Sequence, residues 1–191
     1  MTALNGAPGL EQDMGGLAAL PGLEMVNEQL AGWFTVLRAE QARRRAGTTI
    51  SRQAWLNLVF TGGPGTGKSR AAQAVASIYH DLGVLHGGHL FEVAAADLAG
   101  TTPRETAALF GGVVKLGNVL MITDAHTWYT LPDRGQHVLR CLYQRLTESR
   151  QAGHLDDLAM ILAGQAGPLR DLLRSSPPLA ARFPLVIDFP R

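Results

Sequence analysis

The octapeptide Gly62-Gly63-Pro64-Gly65-Thr66-Gly67-Lys68-Ser69 decides the fold. A glycine, four residues, a second glycine, a lysine and a serine form the spacing that is typical of a loop wrapped around phosphate groups. Its glycines let successive backbone N–H groups turn inward, and the helix that begins at Gly67 adds its positive end. The pattern predicts that Lys68 binds the β- and γ-phosphates of a nucleotide and that the Ser69 hydroxyl ligates Mg²⁺.

The sequence on both sides of this loop alternates short apolar runs with amphipathic stretches. Strands are predicted over 55–60, 90–93, 119–123, 158–163 and 185–188. Helices are predicted over 24–45, 68–82, 104–115, 136–150 and 169–174. Five strands separated by helices predict an α/β fold with a five-stranded parallel sheet and helices on both of its faces.

The composition restricts what the chain binds. Of its 191 residues, 17 are Lys or Arg and 16 are Asp or Glu, so the formal net charge is +1. This balance creates no field that draws the protein to nucleic acid or to a membrane, and we expect neither as a partner. Since no apolar stretch reaches the roughly 20 residues of a membrane span and no signal peptide is evident, a cytoplasmic location is expected.

The domain organisation is predicted to be simple. Residues 1–20 are rich in Gly, Ala and Pro and predict a flexible N-terminal lead-in, whereas 21–191 are expected to form one nucleotide-binding α/β unit. A single cysteine, Cys141, excludes an internal disulfide, and no Cys/His cluster has the spacing of a zinc site. The only metal ligand that the sequence predicts is therefore Ser69.

Several further motifs occur at matching spacing along nearly the whole chain. They are residues 56–61 ahead of the phosphate loop, 82–85, 88–93, 97–98 and the segment 175–184. Together these motifs resemble the CbbX, SpoVK and EccA group of AAA+ ATPases, whose Asn-Pro-Gly-Leu-x-Ser-Arg-Phe-Pro signature is similar to the last segment. Residues 20–23 resemble the AAA+ segment that packs beside adenine, which implies that Leu20 and Gly22 contact the nucleotide.

The resemblance carries several expectations. It implies the three-layer αβα sandwich of P-loop NTPases, as the large AAA+ subdomain, with ATP and Mg²⁺ as cofactors. It also implies a homo- or hetero-oligomeric ring, a hexamer in related proteins, that acts on a protein client not identified by these residues. Because the sequence stops at Arg191, soon after the fifth strand, the helical lid of AAA+ proteins is expected to be absent from these residues. Either the sequence is a trimmed piece of a longer protein or the protein has lost its lid.

The end of the third strand departs from the family pattern. Thr123 occupies the place of the metal-side Asp, and Asp124 occupies the place of the catalytic Glu. In one interpretation Asp124 orients the attacking water and Thr123 hydrogen-bonds a metal-bound water, so that weak catalysis remains. In the other, both acids have been lost and Asp124 only caps the following turn.

Three other positions are compared with the same family. Thr102 stands where the pore loop has its aromatic residue, so either peptide gripping is lost or Thr102 simply starts a helix with Pro103. Gln165 is either a sensor of the γ-phosphate or an ordinary loop residue. Arg182 matches the arginine that reaches a neighbouring subunit's γ-phosphate, the alternative being a surface arginine.

These observations lead to two hypotheses for the function. The first is an ATP-binding AAA+ module that hydrolyses ATP weakly within a ring. The second is a nucleotide-binding scaffold subunit without significant turnover, which Thr123, Thr102 and the missing lid favour. A small P-loop kinase has little support, because no basic lid with clustered arginines follows the loop.

Overall fold

The computed structural model describes residues 22–47, 56–130, 132–151 and 159–190. Within them, five parallel strands form one sheet in the order β2-β3-β4-β1-β5. The strands are β1 (Leu58–Thr61), β2 (Leu90–Ala94), β3 (Val119–Thr123), β4 (Ala159–Gly164) and β5 (Leu185–Asp188). The helices are α1 (Glu24–Arg45), α2 (Lys68–Asp81), α3 (Ala95–Ala99), α4 (Pro103–Lys115), α5 (Thr127–Thr130), α6 (Pro132–Gln151), α7 (Ala166–Ser175) and α8 (Pro177–Ala180).

The sheet is covered on both faces, which confirms the predicted αβα sandwich. On β1, Leu58 and Phe60 pack with α1 and α2, whereas Val59 packs with the helices of the opposite face. The same alternation places Met121 on the first face and Ile122 on the second. Because the inner strands β1, β3 and β4 are buried on both faces, their sequences are almost continuously apolar.

The bounds of β1 differ from the prediction. The strand covers 58–61 rather than 55–60, because Asn57 uses its side chain to join two neighbouring segments. Its buried amide nitrogen donates to the carbonyl oxygen of Arg182 at 3.0 Å, and its amide oxygen accepts from the backbone N–H of Met160 at 2.9 Å. The predicted first residues of two strands, Trp55 and Leu158, and the predicted lead-in at 1–20 lie outside the described residues.

Short helices account for most of the elements that sequence periodicity did not predict. The helices α3, α5 and α8 have five residues or four, which is too short to show a 3.6-residue pattern. Helix α4 begins at Pro103 with a capping box, in which Thr102 accepts from the backbone N–H of Glu105 and the Glu105 carboxylate accepts from that of Thr102. Thr102 is therefore the residue that starts a helix.

Within the four described ranges, no helix combines the length and the apolar character that a bilayer crossing requires.

Candidate functional site

The phosphate loop leaves the sheet between two neighbouring strand ends. The backbone N–H of Gly62 donates to the carbonyl oxygen of Gly164 at 3.0 Å, and the N–H of Phe189 donates to that of Thr61 at 2.7 Å. A Cβ atom added to Gly62 would lie 2.7 Å from the carbonyl oxygen of Phe189. A glycine is therefore required at position 62, because the backbone that follows β5 passes too close to the loop for a Cβ atom.

The last loop glycine sets the start of α2. Gly67 has a φ of 91°, in the left-handed region that favours glycine, and it lacks a side chain with which to cap the helix. The first turn, Lys68 to Ala71, contains no acidic residue. The positive end of α2 is thus left to interact with an anion in the cleft.

Lys68 lies folded against the loop itself. Its ammonium group donates to the carbonyl oxygens of Gly62, at 3.0 Å, and Gly63, and to the Thr66 hydroxyl at 3.3 Å. Partial burial lowers the pKa of Lys68, and the negative charge of Asp124 opposes that shift. Because burial disfavours the charged form of Lys68, phosphate groups that enter the cleft would stabilise its ammonium group.

Ser69, the predicted metal ligand, contacts a carboxylate from the edge strand. Its hydroxyl donates to Glu92 Oε2 at 3.0 Å, and Glu92 lies on β2. Among the residues that the structure describes, no three His, Cys, Asp or Glu side chains come together as a metal site. Mg²⁺ prefers oxygen ligands, and in nucleotide sites it is held by one or two side chains together with the substrate phosphates. The Ser69 hydroxyl therefore suits Mg²⁺ as a ligand.

The opposite wall of the site is the end of β3. Asp124 has a φ of 52°, a left-handed conformation that aspartate tolerates better than most residues. Its carbonyl oxygen accepts from the backbone N–H and the hydroxyl of Thr127, both at 2.9 Å. Its carboxylate is 70% exposed and lies 4.0 Å from His126 Nδ1. The turn is therefore held by backbone and threonine, and the Asp124 side chain remains directed toward solvent.

Gln165 and His126 connect this wall to β4. The backbone N–H of Gln165 donates to His126 Nδ1 at 3.3 Å, and the N–H of Ala125 donates to the carbonyl oxygen of Ala163 at 2.9 Å. Gln165 is the N-terminal cap residue of α7 and is exposed beside the loop. His126 was not predicted as a site residue, because only the fold brings it to β4.

Loop and strand ends together enclose a cleft of about 420 Å³. Most of the predicted site residues line it, namely Gly62, Pro64, Gly65, Thr66, Gly67, Lys68, Ser69, Thr123, Asp124 and Gln165. Gly63 contributes its carbonyl oxygen to Lys68. One wall thus offers backbone donors and a cation, while the other offers a hydroxyl, one carboxylate and an amide.

Of the predicted site residues that the structure describes, Arg182 and Gly22 do not line the cleft. Arg182 is buried, and its guanidinium donates to the carbonyl oxygen of Leu146 at 3.1 Å and lies 5.7 Å from the ring centre of Tyr143. The surface-arginine alternative is therefore wrong, because Arg182 packs against α6. Leu20 lies outside the described residues, but Gly22 precedes Leu23, whose Cδ1 lies 3.1 Å from the position of a Cβ added to Gly67.

The order of the sheet, the glycine-rich loop and its lysine define a P-loop protein of the α/β class. Residues 58–191 match the family described as "ATPase family associated with various cellular activities (AAA)". The chain belongs to this AAA family, and within it to the group of AAA+ ATPases that includes CbbX and the stage V sporulation protein K.

The similarity to individual relatives extends over most of the chain. Protein CbbX of Cereibacter sphaeroides is 34% identical over 177 residues, which cover 90% of this chain and 55% of the relative. Stage V sporulation protein K of Bacillus subtilis (strain 168) is 30% identical over 181 residues, or 91% of this chain and 53% of the relative. The chain thus spans about half the length of these relatives.

Solved structures show the same fold. A chain from a study of katanin self-assembly has a TM-score of 0.57 and 18% identity over 99% of this chain and 61% of its own length. A chain from the HORMA:CdnC:Trip13 complex of E. coli MS115-1 has a TM-score of 0.62 and 13% identity, covering 94% and 66%. These likenesses support the AAA+ fold.

Proposed function

We propose that the chain binds Mg²⁺-ATP and hydrolyses it weakly as a module of a ring assembly. The single observation that carries this proposal is the cleft in which the phosphate loop, the α2 N-terminus and Lys68 face Asp124. The AAA family membership indicates that the nucleotide is ATP.

The phosphate loop is the binding half of the mechanism. Backbone N–H groups of the loop and of the first turn of α2 hold the phosphates, and Lys68 turns from the loop carbonyl oxygens to the β- and γ-phosphates. Ser69 would hold Mg²⁺, which when bound neutralises charge on the phosphate oxygens. Leu20 and Gly22 would lie beside the base, since the neighbouring Leu23 contacts the loop at Gly67.

The end of β3 is the catalytic half, and it accounts for slow turnover. Asp124 would orient the attacking water. Its carboxylate is 70% exposed, and among the described residues an ionic neighbour is His126, whose Nδ1 lies 4.0 Å away. Thr123 lines the cleft but brings no charge to the metal side. Gln165 directly follows β4 and lines the cleft, and its side-chain amide would donate a hydrogen bond to the γ-phosphate.

The ring assembly gives Arg182 its proposed role. In the isolated chain Arg182 is held by Leu146, so a role at a neighbour's γ-phosphate requires the guanidinium to leave α6 on assembly. Such arginines contribute about 10³ to 10⁵ in rate. We expect light scattering to show a larger species with ATP than without it; a strict monomer under both conditions would contradict this role.

Turnover by the unmodified chain tests the proposal. We expect slow release of phosphate from ATP that disappears in Lys68→Ala, since each charged hydrogen bond to phosphate contributes about 1.5–3 kcal/mol. The chain contains only one other lysine, Lys115 at the end of α4, and Lys115→Ala is the matched control that keeps the parent rate. A rate unchanged by Lys68→Ala would place the activity outside this cleft.

A second candidate function is that of a nucleotide-binding scaffold in which ATP organises an interface without turnover. The uncharged Thr123 at the metal side of the cleft favours it. Tight ATP binding with no phosphate release by the parent, together with release by Thr123→Asp, would establish this second function. In either case we propose that residues 21–191 act as one unit in the cytoplasm on a protein client.

A further inference from the structure

We propose that Glu92 supplies the Mg²⁺-side carboxylate that Thr123 does not provide. The inference rests on the proposed function and adds a residue to the same site. Sequence comparison places the missing charge at the end of β3, but the structure places a different carboxylate at the phosphate loop, on the next strand of the sheet.

The register of the sheet shows that Glu92 points to the correct side. In the parallel pair of β2 and β3, Glu92 lies opposite Met121, and Ala94 lies opposite Thr123. Met121 packs with α1 and α2 and lines the cleft. Since side chains alternate along a strand, Glu92 and Thr123 project from the face that carries α2, two residues apart along the strands.

The distance between Ser69 and Glu92 suits a shared ion. Ser69 Oγ and Glu92 Oε2 are 3.0 Å apart. Octahedral Mg²⁺ holds its oxygen ligands at about 2.1 Å, so two adjacent ligands lie about 3.0 Å from each other. The hydroxyl and the carboxylate can therefore exchange their mutual hydrogen bond for a common cation without a change in their separation.

The solvation of Glu92 also favours this role. Glu92 is exposed, so its carboxylate bears no burial cost before the ion arrives. In P-loop proteins the ion is held by the loop Ser or Thr together with an acidic side chain from the sheet. Here Ser69 has such an acidic neighbour, and it comes from β2 instead of β3.

The test compares Glu92→Gln with Asp81→Asn. Asp81 is an exposed acid at the far end of α2, about 18 Å from Ser69 along the helix axis, so this control removes the same charge elsewhere. Binding of the ATP analogue AMP-PNP is measured by calorimetry in EDTA and in Mg²⁺. The affinity of the AMP-PNP-loaded protein for Mn²⁺ is measured by electron paramagnetic resonance.

We expect Glu92→Gln to weaken Mn²⁺ binding about 10- to 100-fold and to reduce the gain in AMP-PNP affinity that Mg²⁺ produces. Affinity in EDTA stays within twofold of the parent, and Asp81→Asn behaves as the parent in all measurements. Adding Thr123→Asp to Glu92→Gln restores most of the Mn²⁺ affinity, since it returns a carboxylate to the same face of the sheet.

Unchanged Mn²⁺ affinity in Glu92→Gln would overturn the inference and leave the proposed function intact. An equal loss of AMP-PNP affinity in EDTA and in Mg²⁺ would also overturn it, because Glu92 would then only support the shape of the loop. If the parent binds no AMP-PNP under either condition, the proposed function fails, and the inference fails with it.

Discussion

The two walls of the cleft are built by different means. The phosphate loop wall consists of backbone groups, two close glycine approaches and Lys68, which are the parts that the proposed phosphate binding requires. The β3 wall consists of side chains, and there Thr123 and a solvent-directed Asp124 stand in place of two acids. In the proposed function, nucleotide binding and turnover can therefore differ within one site, because separate elements of the fold would carry them.

The loop wall should be the less tolerant of change. We expect Gly62→Ala to lower the free energy of unfolding by about 2–3 kcal/mol, because the new Cβ would lie 2.7 Å from the Phe189 carbonyl oxygen. Gly32→Ala on α1, where nothing lies within 4 Å of the added Cβ, should stabilise the chain by about 0.5–1 kcal/mol. Urea unfolding measures both. Equal stability of the two variants would show that the loop is not packed as described.

A single negative charge added to the β3 wall should raise ATP turnover by the protein. We expect Thr123→Asp to raise ATP turnover about tenfold or more, because it adds a carboxylate at the end of β3 to the one that Glu92 is proposed to supply from β2. Thr123→Asn is the matched control, with nearly the same shape and no charge, and should keep the parent rate. Phosphate release under saturating ATP compares the three proteins, and equal rates for the Asp and Asn variants would contradict this account of slow turnover.

The neighbouring position limits how far the family pattern can be restored. Asp124 has a φ of 52°, so Asp124→Glu should lower the free energy of unfolding by about 1 kcal/mol, whereas Asp124→Asn should change it by less than about 0.5 kcal/mol. Thermal unfolding at matched pH distinguishes them. If both variants match the parent, the turn after β3 is not constrained by its backbone.

The smallest effect concerns the pH dependence of the nucleotide-free chain. Because burial lowers the pKa of Lys68 in the folded state, unfolding should become less favourable as pH rises from that pKa toward 10.5. Lys68→Met should remove this gain, by less than about 1 kcal/mol since the side chain is partly solvated. Denaturation of both proteins between pH 8 and about 10.5 measures the difference, and parallel curves would show that Lys68 is not desolvated.

Sequence periodicity was sufficient for most of the fold. The predicted bounds of α1, β3 and β5 agree with the structure because each has an uninterrupted pattern of its own. The start of β1 was wrong because the apolar run continues through Leu56 while Asn57 leaves the ladder to bind Arg182 and Met160. The N-terminus of α6 was predicted four residues late, since Pro132 is a favoured first-turn residue that periodicity does not reveal.

The site was less accessible to sequence reasoning, for a physical reason. The phosphate loop is local, so one octapeptide contains its whole pattern. Glu92 lies 23 residues from Ser69, and only the order of strands brings the two side chains together. Likewise, burial of Arg182 depends on Leu146 in α6, 36 residues earlier, and no local pattern near Arg182 records that contact.

Direct titration of the chain with ATP tests the central claim, that the loop wall is a complete phosphate-binding site. Calorimetry in Mg²⁺ should show saturable binding of one ATP per chain, which Lys68→Ala weakens at least tenfold and Lys115→Ala leaves unchanged. Absence of saturable binding by the parent, or equal affinity in the parent and Lys68→Ala, would contradict the account.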